Sequence, residues 1–345
     1  MKTRIVSAIL AIAMLGVVGL LAADGQQVLI TGAGATFPYP IYSKWFDEYH
    51  KKVANVQINY QSLGSGAGIQ QVISGTVDFG ASDGPMNDQQ IKDFHDKRGG
   101  NILHFPTVLG ADVPTYNVPG VTVALNFTQD ALAGIFLGKI TKWNDPAITG
   151  PNPGVKLPAA NIVVVHRSEG SGTTYCWTDY LTKISKEWET KVGRGASVQW
   201  PVGLGGKGNE GVSGQIKQIP NSMGYVELVY AVQNKMQYGK VKNAAGEFVQ
   251  ADLSSVTAAA ASVKEMPDDF RVSITDAPGK TAYPIATFTW LLIPDKISDP
   301  AKDKAIKDFL HWMLADGQNM VEVLDYARLP KAVAAKELKA IAKIQ

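Results

Sequence analysis

Four Gly-rich segments of this 345-residue chain each follow a short apolar run that is typical of a β-strand. They combine Gly with Ser, Thr, Asp or Arg, and they span residues 31–37 (TGAGATF), 63–68 (LGSGAG), 79–84 (FGASDG) and 166–173 (HRSEGSGT). Glycine lets backbone N–H groups approach a ligand closely, and hydroxyl groups supply donors that rotate. The guanidinium of Arg167 adds a planar fork suited to an oxyanion. Together the segments predict a site that encloses a dehydrated anion.

The order of strand, Gly-rich segment and helix recurs along the chain. Ile41, Trp45 and Phe46 follow the first segment at helical spacing, and Trp177 and Leu181 follow the fourth. This order predicts an α/β protein with mostly parallel sheets flanked by helices. In such sheets ligands bind beyond the carboxyl ends of the strands, near the N-termini of the following helices. All four segments occupy that position.

Pro and Gly cluster at residues 106–119 and 278–284, which we interpret as two crossings between domains. Two crossings place one domain inside the other. We therefore predict a discontinuous first lobe of residues 24–110 and 284–345, and a second lobe of residues 115–278. A late amphipathic helix at residues 301–314 is expected to pack back on the first lobe, and residues 331–345 are also helix-like.

The N-terminus has the pattern of a secretory signal, with Lys2 and Arg4 before an apolar stretch that runs from Ile5 to Ala23. We predict that residues 1–23 are a signal peptide that is removed, and an uncleaved membrane anchor is the alternative. Removal lowers Lys plus Arg from 33 to 31 and leaves Asp plus Glu at 31, so the net charge becomes zero with His neutral. A neutral chain has no global field to attract nucleic acid, so selectivity for an anion must be local.

Metal and redox chemistry are not supported by the residues. Cys176 is the only cysteine, and we expect it to be a small core residue. The five histidines are scattered without the spacing of metal ligands, so we predict no metal and no cofactor.

Catalytic and nucleotide-binding motifs also fail at required positions. Residues 32–37 begin like a dinucleotide fingerprint, but Phe37 occupies the place of the last Gly. Ser65 and Ser171 lack the first Gly of a nucleophile elbow. His166 is close to Ser171 in sequence, but on an alternating strand it points away from the face of Arg167. We therefore predict a binding protein rather than an enzyme.

These segments closely resemble the periplasmic phosphate-binding proteins of phosphate-specific ABC importers. The resemblance rests on motifs spread over the chain after the signal: residues 31–38 (TGAGATFP), 78–83 (DFGASD), 137–145 (LGKITKWND), 170–173 (GSGT), 203–209 (GLGGKGN), 224–227 (GYVE) and 324–327 (LDYA). It implies a two-lobe periplasmic binding protein fold that closes by a hinge over one inorganic phosphate in the interlobe cleft. It also implies a periplasmic protein, expected to be a monomer, that delivers phosphate to the membrane subunits of an importer.

Carried over by motif position, the resemblance implies a specific ligand shell. The shell consists of Thr36, Phe37 (through its N–H), Ser65, Asp83, Arg167, Ser171, Gly172 and Thr173. Glu169 occupies a position where the family often has an Asp that pairs with the binding arginine, so the resemblance implies a supporting role for Glu169 beside Arg167. Simpler roles remain open for four of these residues: Asp83, Ser171 and Thr173 as helix or turn caps, and Ser65 as an ordinary turn residue. Arg167 has the alternative of a surface ion pair with Glu169.

Asp83 is the residue expected to discriminate between anions. An ionised carboxylate only accepts hydrogen bonds, so it favours phosphate, which carries a proton near neutral pH, over sulfate, which carries none. Each unmade charged hydrogen bond costs about 1.5–3 kcal/mol. Two alternatives stay open at this point: a binder of another tetrahedral oxyanion such as sulfate, and a secreted phosphohydrolase.

Overall fold

The computed structural model describes residues 27–345, so the predicted signal peptide at residues 1–23 lies outside the described part. The strands in this part are β1 Val28–Gly34, β2 Val56–Ser62, β3 Phe79–Ser82, β4 Ile102–Asn117, β5 Asn126–Phe127, β6 Val163–Arg167, β7 Leu204–Gly206, β8 Ser222–Glu227, β9 Gln237–Tyr238, β10 Lys240–Lys242, β11 Phe248–Val249 and β12 Ala286–Pro294. The helices are α1 Tyr39–Lys52, α2 Ser65–Ser74, α3 Asp88–Arg98, α4 Gln129–Phe136, α5 Pro146–Thr149, α6 Gly172–Ile184, α7 Lys186–Lys191, α8 Gly208–Gln218, α9 Leu228–Gln233, α10 Leu253–Ala260, α11 Pro300–Leu314 and α12 Lys331–Ala340. Among the residues described, none of the helices has the length and apolar character needed to span a membrane.

One long sheet organises the molecule, in the order β2-β1-β3-β12-β4-β8-β6-β7, with β9 also paired to β4. We call β2, β1, β3 and β12 the first half of this sheet, and β8, β6 and β7 the second half. Strand β4 joins them, because its residues 102–111 pair with β12 and its residues 112–117 pair with β8. A small separate sheet contains β11, β10 and β5.

The sheet is mixed, which differs in detail from the mostly parallel arrangement that the sequence predicts. The strands that carry the Gly-rich segments are parallel to their partners: β1 pairs with β2 and β3, and β6 pairs with β7 and β8. The ladders β3–β12, β12–β4 and β4–β8 are antiparallel. Strand β12 comes late in the chain and inserts between β3 and β4, so its direction depends on a pairing that no local pattern encodes.

Two of the Gly-rich segments are strand over much of their length rather than loop. Strand β1 continues through Gly34 and β3 covers residues 79–82, because β1 pairs with β2 on one side and β3 on the other. The positions free to meet a ligand therefore begin at Ala35 and at Asp83. The fourth segment divides as the sequence predicts, with β6 ending at Arg167 and α6 beginning at Gly172.

The core lies on both faces of the central strands. All nine residues of β12 are buried, and so are nearly all residues of β4. Pro106 lies inside β4 beside a register shift between Thr289 and Trp290 of β12, and such an irregularity is where a central strand tolerates proline. The late helix α11 packs on the core through Ile306, Phe309 and Leu310, among others, as its spacing predicts.

Candidate anion-binding site

The N-termini of four helices converge between the two halves of the sheet. Thr36 and Phe37 come just before Pro38, the residue that precedes α1, and Ser65 is the first residue of α2. Ser171 caps α6, with its Oγ accepting a hydrogen bond from the backbone N–H of Thr174 at 3.1 Å, and α8 begins at Gly208. Helix N-termini present unpaired N–H groups and a partial positive charge. Their convergence makes this place favourable for an anion.

Arg167 lies at the carboxyl end of β6 with its side chain almost fully buried. Glu169 Oε1 accepts hydrogen bonds from Arg167 Nε at 2.8 Å and from Arg167 Nη2, and it also accepts the backbone N–H of Gly208 at 3.1 Å. Arg167 Nη1 donates to Thr173 Oγ1 at 3.0 Å. These partners fix the plane of the guanidinium. The extra methylene of Glu169, relative to an Asp, still permits the ion pair.

Asp83 follows β3 directly and is buried. Its Oδ1 accepts a hydrogen bond from the hydroxyl of Thr289 on β12 at 2.9 Å. Burial raises the pKa of this carboxyl to about 7, against the lowering effects of the Thr289 hydroxyl and the positive charge of Arg167. Near neutral pH the Asp83 carboxyl is therefore poised between the acceptor form and the donor form.

Ser65 and Gly172 connect the two halves of the sheet at the site. The hydroxyl of Ser65 accepts a hydrogen bond from the backbone N–H of Gly172 at 2.9 Å and a long one from the N–H of Asp83 at 3.4 Å. Gly172 lies so close to Asp83 that a Cβ at position 172 would stand 2.6 Å from Asp83 Oδ2. Only glycine permits this approach of α6 to the end of β3.

The segment before α1 is anchored by two tyrosines from distant parts of the chain. The hydroxyl of Tyr230 donates to the carbonyl of Thr36, and the hydroxyl of Tyr326 donates to the carbonyl of Phe37, both at 2.6 Å. The ring of Phe37 is fully buried against Gly110 of β4. The backbone N–H of Phe37 has no hydrogen-bond partner among residues 27–345. The two tyrosine hydroxyls therefore fix the segment that carries this N–H.

The structure brings the predicted ligand residues together in the buried interior between the two halves of the sheet. Hydrogen bonds link Thr36 through Asn209 to Thr173 and Arg167, and they link Ser65 to Asp83 and Gly172. Arg167 lies close enough to Asp83 for its charge to lower the pKa of that carboxyl. Phe37 and Ser171 are the chain neighbours of Thr36 and Gly172.

Asn209 is a buried part of this site to which the sequence analysis gave no role. Its side chain donates to Thr36 Oγ1 at 2.8 Å and makes a longer contact of 3.4 Å with Thr173 Oγ1. The residue ends the segment 203–209, which is one of the motifs on which the resemblance rests. The repeated Gly in this segment could have pointed to Asn209, because a Gly-rich segment lets the side chain that follows it approach other loops closely.

Asp112 and Glu227 place two more carboxyl groups near Asp83, and neither was predicted. Both are fully buried and lie opposite each other in the β4–β8 ladder. Among the described residues, both carboxyl oxygens of Asp112 lack hydrogen-bond partners. Burial first, and the negative charge of Asp83 next, hold the pKa of Asp112 well above its usual range. A lone Asp within a long apolar run was the only signal in the sequence.

The residues considered for other chemistry lie elsewhere or are unsuited to it. His166 stacks on Trp200 with ring centroids 4.8 Å apart, and burial lowers the pKa of its imidazole. Cys176 is a buried free thiol, as expected of a core residue. Within residues 27–345, no cluster of three or more His, Cys, Asp or Glu side chains is arranged to hold a metal ion.

A sheet whose two halves share one strand, with helix N-termini meeting between the halves, is the architecture found in the periplasmic-binding-protein class. A family model described as the PBP superfamily domain matches residues 21–317. The chain is 46% identical over 313 residues to the phosphate-binding protein PstS of Pasteurella multocida (strain Pm70), covering 90% of this chain and 89% of that protein. It is 47% identical over 307 residues to the PstS of Xylella fastidiosa (strain Temecula1), covering 88% and 82%. The chain therefore belongs to the PstS family of phosphate-binding proteins within this superfamily.

Solved structures support the same fold. A high-affinity periplasmic phosphate-binding protein (PfluDING) bound with phosphate matches with a TM-score of 0.70 at 21% identity, covering 89% of this chain and 92% of that one. A phosphate-binding protein from Stenotrophomonas maltophilia matches with a TM-score of 0.69 at 18% identity, covering 90% and 93%. At these identities the similarity establishes the fold.

Proposed function

We propose that this protein binds one inorganic phosphate, without catalysis, in the periplasm and delivers it to the membrane subunits of an ABC-type importer. The observation that carries the proposal is the burial of Arg167 and Asp83 close to each other where the helix N-termini meet. A cation and four helix N-termini attract an anion. The ionised carboxylate of Asp83 can only accept hydrogen bonds, so above pH 7 it favours an anion that brings its own proton. The names of the relatives are consistent with this choice.

The proposed ligand shell contains hydroxyl, amide and guanidinium donors with one carboxyl. The hydroxyls are those of Thr36, Ser65, Ser171 and Thr173, the amides those of Phe37 and Gly172, and Arg167 and Asp83 complete the set. Glu169 holds Arg167 and leaves part of the guanidinium edge for the anion. One formal positive charge does not neutralise a dianion, so N–H and O–H dipoles supply the remainder.

Asp83 gives this shell its selectivity. Phosphate brings a proton that the carboxylate accepts, whereas sulfate places a second acceptor against it in a buried site. The loss of one charged hydrogen bond costs about 1.5–3 kcal/mol. A site built to bond an O–H or N–H group of its ligand rejects analogues that lack this group by a factor of roughly 10⁴–10⁵. A phosphate-specific site follows from this one carboxyl.

Binding is proposed to hold two lobes together in the closed form. The proposed lobes are residues 24–110 with 284–345, and residues 115–278, joined through residues 106–119 and 278–284. The bond from Gly172 N–H to Ser65 Oγ and the bond of 2.9 Å from Gly66 N–H to the Gly170 carbonyl cross between them at the site. The protein acts as a monomer and reaches the periplasm after cleavage of residues 1–23.

Calorimetric titration of the phosphate-stripped protein tests the proposal, first with phosphate and then with sulfate. Tight 1:1 binding of phosphate with no heat from sulfate is the expected result at pH 8. Comparable binding of both anions would make this a general oxyanion binder, and no binding of either would refute the site. A phosphatase assay with and without added divalent metals is expected to show no turnover. Turnover that is lost when Asp83 is substituted would show that the protein is a phosphohydrolase, and the proposal of binding without catalysis would be wrong.

A further inference from the structure

Asn209 connects two threonines that belong to different halves of the sheet. Its Nδ2 donates to Thr36 Oγ1 at 2.8 Å and lies 3.4 Å from Thr173 Oγ1, and its backbone N–H lies 3.3 Å from Thr36 Oγ1. The side chain is fully buried. We propose that Asn209 is a positioning residue that makes the hydroxyl groups of Thr36 and Thr173 pure donors toward the anion.

The orientation of the Asn209 amide is fixed by a partner on the opposite side. Its Oδ1 accepts the backbone N–H of Glu227 at 3.0 Å. A backbone N–H only donates, so the carbonyl end of the amide must face Glu227 and the NH2 end must face the two threonines. The backbone N–H of Glu227, at the end of β8, thus determines that Asn209 presents N–H donors to the threonines next to α1 and in α6.

The hydroxyl of Thr36 then has one direction left for its hydrogen. A hydroxyl group has one hydrogen to donate and two lone pairs that accept. Both lone pairs of Thr36 Oγ1 are occupied, one by Asn209 Nδ2–H and one by the backbone N–H of Asn209. Its hydrogen is left for a ligand that accepts.

The same count applies to Thr173. Its Oγ1 accepts from Arg167 Nη1 at 3.0 Å and from Asn209 Nδ2 at 3.4 Å. Its hydrogen is likewise left for an acceptor. One asparagine therefore sets the direction of two hydroxyl rotors before the anion arrives, so the anion does not have to reorient them on binding.

This inference rests on the proposed phosphate site, so phosphate titration of the wild-type protein comes first. The test then compares Asn209→Ala and Asn209→Asp by calorimetry, with melting temperature as the measure of folding. Asn209→Ala leaves each hydroxyl with one of its two donors, so each can turn its hydrogen away from the anion, and phosphate binding is expected to weaken by about tenfold to a hundredfold, the value of a charge-assisted hydrogen bond. Asn209→Asp keeps the shape but replaces the donor by an acceptor, which captures the hydroxyl hydrogens, so we expect a larger loss.

A matched control separates positioning from general stability. Asn152 is also buried, and its side-chain amide bonds only the backbone of Asn126 and Ile148, away from the site and from the proposed hinge segments. Asn152→Ala is expected to lower the melting temperature while phosphate affinity stays within about twofold of wild type. Equal effects of Asn209→Ala and Asn152→Ala on affinity would overturn the inference.

A double-mutant cycle with Thr36→Val gives a readout that a merely structural Asn209 would not move. When the Thr36 hydroxyl is absent, Asn209 has one rotor fewer to orient, so Asn209→Ala should cost less affinity in that background than in wild type. Strictly additive losses would refute the positioning role. Should the Asn209 variants not fold, Thr36→Val still tests the inference: a loss of about tenfold or more is expected, and unchanged affinity would refute it because this hydroxyl would then not be a donor to phosphate. Failure of wild type to bind phosphate would instead refute the proposed function itself.

Discussion

The hydroxyl of Ser65 accepts a hydrogen bond of 2.9 Å from the backbone N–H of Gly172, which joins the start of α2 to the start of α6. The two helices belong to opposite halves of the sheet. Three kinds of group thus meet within one hydrogen-bond network: a hydroxyl, a helix-terminal amide and, through the N–H of Asp83, the carboxyl that selects the anion.

Ser65→Ala is expected to weaken phosphate binding by about tenfold or more, because it removes one donor to a charged ligand. Calorimetric titration measures the loss. Ser74→Ala is the control, since Ser74 ends the same helix at an exposed position and bonds only the carbonyl of Gln70. Equal affinity of the two variants would show that Ser65 serves only as a turn residue.

Asp83→Asn is expected to admit sulfate, because an amide can donate to an anion that carries no hydrogen. The pKa of Asp83 near 7 adds a dependence on pH in the wild-type protein. Above pH 7 the carboxylate accepts and sulfate is rejected; as pH falls below 7 the carboxyl gains a proton and can donate. Sulfate affinity of wild type should therefore rise toward pH 5, while that of Asp83→Asn stays flat from pH 5 to 8. If the mutant rejects sulfate as strongly as wild type at pH 8, the carboxyl does not discriminate.

Gly172→Ala is expected to weaken phosphate binding by about tenfold or more, because the new Cβ would lie within 2.6 Å of Asp83 and displace it from the cleft. Gly214→Ala in α8 is the matched substitution, since a Cβ at position 214 meets no atom within 4 Å. There alanine should stabilise the helix by about 0.5–1 kcal/mol and leave affinity unchanged. Titration and urea unfolding of both variants measure these effects. Normal binding by Gly172→Ala would mean that α6 can retreat from Asp83 without harm to the site.

Asp112→Asn is expected to remove a pH-dependent destabilisation. The pKa of Asp112 is higher in the folded protein than in the unfolded chain. Protonated Asp112 therefore favours the folded state at low pH, and this contribution is lost as the pH rises above the pKa that Asp112 has in the unfolded chain. The stability of the variant relative to wild type should therefore grow between pH 4.5 and pH 8 in urea unfolding. Asp47→Asn, at an exposed position, controls for the loss of a carboxyl. A difference between Asp112→Asn and wild type that is constant with pH would contradict a protonated Asp112.

Much of the candidate site could be predicted from the sequence, because several of its residues lie in short segments whose structure depends on neighbouring residues. Each Gly-rich segment contains both the strand end and the helix start, so the places of Ser65, Asp83 and Arg167 in the fold could be predicted from their own neighbours, whereas their assignment as ligands came from the resemblance and remains a proposal. Asn209 and Thr289 were not, because their roles depend on contacts with segments more than a hundred residues away. The direction of β12 was hidden for the same reason: a continuous apolar run fits a parallel or an antiparallel strand equally well.

Strand β4 has a mechanical consequence for any movement of one half of the sheet against the other. Ala111 is the last residue of β4 that pairs with β12, and Asp112 is the first that pairs with β8, so no unpaired linker separates the two ladders. A rotation must be absorbed as extra twist in a continuously hydrogen-bonded strand. Such a joint resists rotation in either direction more strongly than a flexible, unpaired linker would.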